Sequence, residues 1–486
     1  MQAKKCYRNL LISAVLYLLI ALFLPAGNGL TELGVYAIAT FVAIVYLWVA
    51  NEQIWASILV FPLAIIAGLN TAAGIIPANF GNVNVVFVVT CALLGDALLK
   101  TGVLTNISHW MVTRKFLEGH PRIFIAAFIG SAMFFTFFIS SVPIVVMYLS
   151  WLAAICDEIG YEKKSPFGIS IALGIMVIGI VAEVSTPFSH PQVLILFNLI
   201  QAAGFTVSMA AYTFWGILFN LCIYAIILLV INVVIKDDFK EFNKYSAKLA
   251  EERATHQPMT KQGKIVLTAF VLTVIFWLGG DLFKPFSPEF AAMVSGWGTC
   301  VPCMVAIVLL NIIHIDDKPI YDIKSGLPSV PWGACLFLAG MMALSGVLTA
   351  ENTGVSVWLG TMLAPIAQTL PPAVLLGIAI LITIIATQAV TNFITLMVIW
   401  QILVPIMVSL NAAGGTFNIP AFGIALLLTA NVAFLLPSSC STAPLFFGSG
   451  HLDDKKMFYK LGIPIFILAA LFCIFIFLPL TQAFAC

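Results

Sequence analysis

Thr136, Ser140 and Ser141 interrupt one apolar stretch of the chain, and Thr387, Thr391 and Asn392 interrupt another 251 positions later. Each set is a hydroxyl residue, three spacers, a second hydroxyl residue and a small polar residue. About fifty residues beyond each lies a second matching feature. It reads Thr186-Pro187-Phe188-Ser189-His190-Pro191 in the first half and Leu436-Pro437-Ser438-Ser439-Cys440-Ser441 in the second, with the leading prolines 250 apart. Oxygens of Ser, Thr and Asn suit a hard cation such as sodium. Helix N-termini at a chain break offer free N–H groups and a positive dipole end to an anion. One set of breaks can therefore bind a carboxylate and its coupling cation side by side.

The elements that must position these residues are membrane helices. Hydrophobic residues make up 62% of the 486 and charged residues only 9%, a composition that excludes a water-soluble domain of this size. Apolar runs over 8–26, 208–235 and 456–482 are long enough to cross a bilayer as helix, and ten-residue alternating strands are absent. Lys4, Lys5 and Arg8 precede the first run and read as its cytoplasmic flank rather than as a signal peptide. The ten cysteines have no ligand-like spacing and read as reduced packing residues. A net charge of +1 without a basic patch argues against a nucleic-acid partner.

Residues 236–264 turn polar, with seven Lys or Arg and five Asp or Glu, and divide the chain into halves at 1–235 and 265–486. The basic excess favours a cytoplasmic linker, with an amphipathic helix expected over 237–253. Thr101-Gly102-Val103 and Thr353-Gly354-Val355 stand 252 apart, so the order of features repeats. The apolar runs at 121–155 and 371–409 are too long for one straight span and hold the hydroxyl motifs near their middles. Each is expected to be a re-entrant helical hairpin with its tip at the motif. Broken helices are expected over about 165–203 and 418–449, and a final helix over 456–482. The fold class is thus an all-α polytopic membrane protein of two inverted-topology repeats, with about 11 transmembrane helices.

On these motifs the chain resembles the divalent anion:sodium symporter family, whose members carry citrate, dicarboxylates or sulfate. Family tips carry a Ser-Asn-Thr triplet preceded by Ser or Thr, matched by Thr136 with Ser140-Ser141-Val142 and by Thr387 with Thr391-Asn392-Phe393. Pro331-Trp332-Gly333 and the stretch from Leu436-Pro437 to Phe447-Gly448-Ser449-Gly450 are also similar. The resemblance implies a homodimer in the cell membrane whose transport region, carrying both hairpins, moves as an elevator against a scaffold. It implies a first sodium site at Thr136, Ser140, Ser141 and Ser189, and a second at Thr387, Thr391, Asn392 and Ser439. The anion positions are Ser140, Ser141, Val142 and His190 in the first half and Thr391, Asn392, Phe393, Cys440 and Ser441 in the second. His190 stands where the family has a threonine and would give a carboxylate a charge-assisted hydrogen bond. Phe393 would shrink the pocket or favour an apolar substituent.

A hydroxyl in a membrane helix usually bonds its own backbone, so the duplicated spacing carries the site assignment. Glu183 is an ionisable group in an apolar segment. It is a candidate for proton coupling, for pairing with a basic residue, or for a place near the interface. Pro187 argues against its sharing a helical face with His190. Asp96 and Lys100, four apart, read as a structural pair. A membrane enzyme would need a third convergent ligand or a nucleophile motif, and neither is present. A channel fits paired helix breaks less well than a carrier does. The reading is a secondary carrier of a small organic anion, a di- or tricarboxylate, with sodium as coupling ion and no other cofactor. Anion exchange, proton coupling, or a monocarboxylate or inorganic oxyanion as cargo stay open as alternatives.

Overall fold

The computed structural model describes residues 2–50, 53–187, 189–236, 239, 241–242, 245, 249, 251, 253–254, 258–298, 300–436, 439–451 and 455–484. It is helical, apart from a two-stranded ribbon pairing His314–Ile315 with Lys318–Pro319. Eight described helices are long and apolar enough to cross a membrane, or nine if the bent pair Pro288–Gly296 and Cys300–Ile312 counts as one span. The expected number was about eleven. Helix breaks account for the difference, since they cut apolar runs into pieces of 10–17 residues, several of which build the site.

Numbered in chain order, the site helices of the first half are α1 (Val83–Lys100), α2 (Pro121–Thr136), α3 (Ser141–Ile159), α4 (Pro166–Ala182), α5 (Pro191–Ala202) and α6 (Met209–Val234). Those of the second half are α7 (Trp332–Thr349), α8 (Pro372–Ala386), α9 (Asn392–Ala412), α10 (Ile419–Ala430) and α11 (Ala443–Gly448). Proline opens several of them, where its missing N–H costs nothing: Pro166 after the Ser165 cap, Pro191 after His190, and Pro372. Asn418 caps α10 through the Ala421 N–H at 3.1 Å. Gly102 and Gly354 sit at φ 70° and 66°, the left-handed region that glycine enters freely, and each precedes a helix at corresponding places in the halves.

The core follows from hydrophobicity without sidedness. Helix α4 is buried from Phe167 to Ala182, and α10 is buried except at Pro420. A helix that is apolar all round belongs at the centre. Helices α2 and α3 both pack on α4, and α8 and α9 both pack on α10. The halves interlock through the breaks, with α5 against α10 and α11 against α4. The amphipathic helix expected over 237–253 lies largely outside the described residues. Phe239, Phe242 and Tyr245 are buried and stack on Phe124 and Phe167. The nine described cysteines are free.

Candidate functional site

In the second half, α8 ends at Ala386 and α9 begins at Asn392, so Thr387–Thr391 form the tip. Thr387 Oγ1 lies 2.9 Å from Asn392 Oδ1 and 2.5 Å from the carbonyl oxygen of Ala430, the last residue of α10. One hydroxyl has one proton, which can go to only one of those oxygens. Three buried oxygens thus lie together with a single hydrogen among them. Asn392 Nδ2 donates to Asn431 Oδ1 at 2.7 Å, and Asn431 Nδ2 donates to Gln192 Oε1 at 3.2 Å and to the Leu427 carbonyl at 2.9 Å. A row of polar side chains therefore runs from the second tip, past the second break, to the start of α5 in the first half. Gln192 Nε2 and Thr391 Oγ1 are buried without a partner in the protein. Gln388 holds the extended segment after α10: its Nε2 donates to the Val432 carbonyl, and its Oε1 accepts from the N–H groups of Phe434 and Leu435.

In the first half, α2 ends at Thr136 and α3 begins at Ser141. Ser140 does not cap α3 with its side chain. Instead the Ser141 N–H donates to Glu183 Oε2 at 3.2 Å. Glu183 is 2% exposed, and its Oε1 lies 3.7 Å from His190 Nε2. The loop between them is pinned by side chains: Thr186 donates to the Phe137 carbonyl, and Ser189 donates to the carbonyl of Glu183. Helix α6 holds it from behind. Tyr212 donates to the Val184 carbonyl at 2.5 Å, and Asn220 donates to Ser185 Oγ and, at 3.2 Å, to the Val181 carbonyl. A Cβ at Gly216 would come within 2.1 Å of the Ser185 carbonyl oxygen, so only glycine permits α6 to approach this closely.

A cavity of about 380 Å³ opens at the first tip and break. Ser140, Ser189 and His190 line it together with Asp96 of α1 and with Ser329 and Pro331 ahead of α7. No lysine or arginine is among its described lining residues. Asp96 is fully engaged: Lys100 lies at 2.7 Å, and Tyr321 and Ser329 each donate to it at 2.8 Å. His190 also meets the second tip, its ring centroid 5.2 Å from that of Phe393, which in turn packs on Phe337 at 5.1 Å.

The residues singled out in the sequence divide accordingly. Thr387 and Asn392 meet, with Thr391 beside them. Ser141, Ser189 and Glu183 meet, and His190 joins Glu183. That last contact arises although the helix stops before Pro187, as expected. The two side chains do not share a helical face, because the chain turns back on itself between α4 and α5. Thr136 turns onto its own helix and bonds the carbonyls of Ala132 and Met133 at 2.6 and 3.1 Å. Ser140 reaches the cavity, whereas Val142 and Ser441 are exposed and not among its lining residues. Ser439 bonds the Leu436 carbonyl at 2.7 Å, and Cys440 lies 3.3 Å from Thr442 Oγ1. Pro437 and Ser438 lie outside the described residues. Ala430, Asn431, Gln192, Gln388 and Thr186 went unread as site residues. Polar amides in apolar runs are the signal that could have found Asn431, Gln192 and Gln388.

The family model for the sodium:sulfate symporter transmembrane region matches residues 4–479. The sodium-dependent dicarboxylate transporter SdcS of Staphylococcus saprophyticus is 24% identical over 468 residues, covering 92% of this chain and 86% of its own. The human Na(+)/dicarboxylate cotransporter 3 is 28% identical over 144 residues, 30% of this chain and 23% of its own. Among solved structures, the YdaH transporter of Alcanivorax borkumensis superposes with a TM-score of 0.55 at 12% identity, over 90% of this chain and 98% of that one. MtrF of Neisseria gonorrhoeae gives 0.53 at 12% identity, over 95% and 97%. At that identity the likeness is one of fold.

Proposed function

This chain belongs to the sodium:sulfate symporter family, and on that premise we propose that it is a sodium-coupled carrier of a small organic carboxylate, a di- or tricarboxylate by analogy with its dicarboxylate-carrying relatives. The observation that carries the reading is the convergence of Thr387 Oγ1, Asn392 Oδ1 and the Ala430 carbonyl with one proton among them. Oxygen-only coordination without a carboxylate suits a weakly held monovalent cargo ion better than a resident metal. The partnerless Gln192 Nε2 and the uncapped start of α9 supply donors for an anion close by.

Transport by an elevator motion in a homodimer, built from two inverted repeats, completes the proposal. Its support is the matched packing of α2 and α3 on α4 and of α8 and α9 on α10, together with a cavity that residues of the first tip and of α1 line jointly. The contact between Glu183 and His190 favours a second reading, in which a proton replaces one sodium or loaded anion exchanges across the membrane.

Uptake of labelled succinate and citrate into proteoliposomes tests this, with and without an inward sodium gradient and with unlabelled anion preloaded. Sodium-stimulated uptake is expected. Uptake that needs only preloaded anion would make the protein an exchanger, and no uptake under any condition would remove di- and tricarboxylates as cargo.

A further inference from the structure

Helices α5 and α7 pack side by side, and each runs from the first cavity into a second one. On α7, Ala334 lines the first cavity and Ser345 the second, about 16 Å further along the helix. On α5, Pro191 and Leu194 line the first, and Leu199 and Ala202 the second. Between the two cavities, Asn198 Nδ2 of α5 lies 3.4 Å from Met342 Sδ of α7. The second cavity holds about 400 Å³, in the size range of small-molecule sites. Residues of α9 and of the helix Val355–Gln368 complete its lining.

Its chemistry differs from that of the first. No ionisable residue is among its described lining residues. Pro405 interrupts the hydrogen bonding of α9, so the carbonyl of Gln401, one turn earlier, loses the N–H that an unbroken helix would give it. Gln401 is 3% exposed, and its Nε2 is spent on α7, donating to Ser345 Oγ at 2.6 Å. Thr349 and Thr361 give their protons to carbonyls of their own helices, at 2.9 and 2.8 Å, which leaves lone pairs for a ligand. Donors come from another element. Ser356 and Val357 lie in the first turn of Val355–Gln368, where backbone N–H groups have no carbonyl partner within the helix. Leu199, Trp400 and Val404 add apolar surface.

We propose that this cavity is a second binding site, for a neutral molecule with an apolar body and a carboxamide-like group that both donates and accepts. The carboxamide N–H answers the freed Gln401 carbonyl, and its oxygen answers the N–H groups at the start of Val355–Gln368. A carboxylate could not donate, and it would bring a charge into a cavity with no cation to meet it. The occupant touches α9 and α7 at once. Because α9 begins at the second tip, occupancy holds the tip helix against α7 and stops transport. That consequence rests on the reading of the chain as a carrier, whereas binding does not.

Two measurements separate the parts: binding of radiolabelled 2-naphthamide to the full-length protein in lipid nanodiscs, with empty nanodiscs as control, and its effect on sodium-driven succinate uptake into proteoliposomes. The anion of the same shape, 2-naphthoate, is the comparison. The variant is Thr361→Trp, which fills the cavity from an exposed position away from both tips. Saturable binding of the amide is expected in the wild type, with at least about tenfold weaker binding of naphthoate and of the amide to Thr361→Trp. The amide should lower the maximal rate of succinate uptake and leave its half-saturating concentration unchanged, while Thr361→Trp transports normally and resists the amide. The inference is overturned if the wild type does not bind the amide, if naphthoate binds as well, or if Thr361→Trp binds the amide as the wild type does. It is overturned too if the amide raises only the half-saturating concentration, since it then competes at the first cavity. If Thr361→Trp does not fold, Val408→Trp fills the cavity from a second exposed position. Amide binding without any succinate uptake would sink the carrier reading and support the site, and succinate uptake without amide binding would sink the site alone.

Discussion

Replacing Asn431 with leucine removes the central link of the polar row while nearly conserving volume. In the wild type, Asn431 accepts from Asn392 Nδ2 at 2.7 Å and donates to Gln192 Oε1 at 3.2 Å, and all three residues are buried. The substitution orphans two polar atoms, each worth about 1–3 kcal/mol in a dry interior. Side-chain hydrogen bonds measured inside membrane proteins average only about 0.6 kcal/mol, because the freed groups find other partners. A total of about 1–4 kcal/mol follows. If half of it falls on ligand binding through misaligned Asn392 and Gln192, substrate affinity drops about two- to thirtyfold, since 1.4 kcal/mol is about tenfold. The assay is calorimetric binding of substrate in sodium to Asn431→Leu, Gln192→Leu and the double variant. Two residues sharing a hydrogen bond should couple by about 0.5 kcal/mol or more, so the double variant should lose less than the sum of the singles. Additive losses, or two singles that bind like the wild type, would refute the polar row as a functional unit.

Thr387→Val should raise the sodium concentration for half-maximal uptake about tenfold by removing one of three converging oxygens, whereas Thr136→Val should leave it nearly unchanged, its hydroxyl being spent on its own helix; equal effects would be wrong for this geometry. Gly216→Ala drives a methyl group into the Ser185 carbonyl, so a lowered thermal midpoint and at least a tenfold loss of uptake are expected, and a wild-type midpoint would show that the loop yields freely. His451, outside the spans, is buried with Lys163 nearby, and its pKa is pulled down to about 4 against a small opposing effect of Asp157. Between about pH 6.5 and 4 the unfolded chain therefore binds the extra proton, and stability should fall as the pH drops through that window. His451→Gln should lose this part of the decline in thermal midpoint, and an unchanged profile would place the histidine's titration elsewhere.

Much of the site was legible because its punctuation is polar in an apolar text. Thr136 and Ser141 do bound the first tip, and Thr387 and Asn392 the second, within a residue. What escaped was where the second break begins, since the stretch between Ala430 and Ala443 does contain the expected residues 436–441. Proline at 437 drew it to 436–441, yet α10 stops at Ala430, because Asn431 bonds back to Leu427 and Gln388 takes up the backbone groups that follow. Gln388 had read as a spacer within the hydroxyl motif. Its role depends on a segment more than forty residues away, which no local pattern encodes. The Glu183–His190 contact escaped because Pro187 rightly excluded a shared helical face, and a contact made by the chain turning back between two helices leaves no periodic signal. Thr136 carries the right residue at the right spacing, and its hydroxyl still faces its own helix.

The repeated motifs give two similar frames, and the two satisfy their exposed backbone groups differently. Each frame must satisfy the backbone groups that its break exposes, because no water reaches them in a bilayer. The second half does so with neutral amides, Asn431 and Gln388, leaving the oxygens around Thr387 together and Gln192 Nε2 and Thr391 Oγ1 without partners. The first half does so with a carboxyl group, Glu183, which accepts the Ser141 N–H and meets His190. At α1, Asp96 is satisfied by Lys100, Tyr321 and Ser329. The tips, by contrast, keep buried polar atoms without partners in the protein, Ser141 Oγ at the first and Thr391 Oγ1 and Gln192 Nε2 at the second, so the two sides of the site differ in how far their polar needs are met.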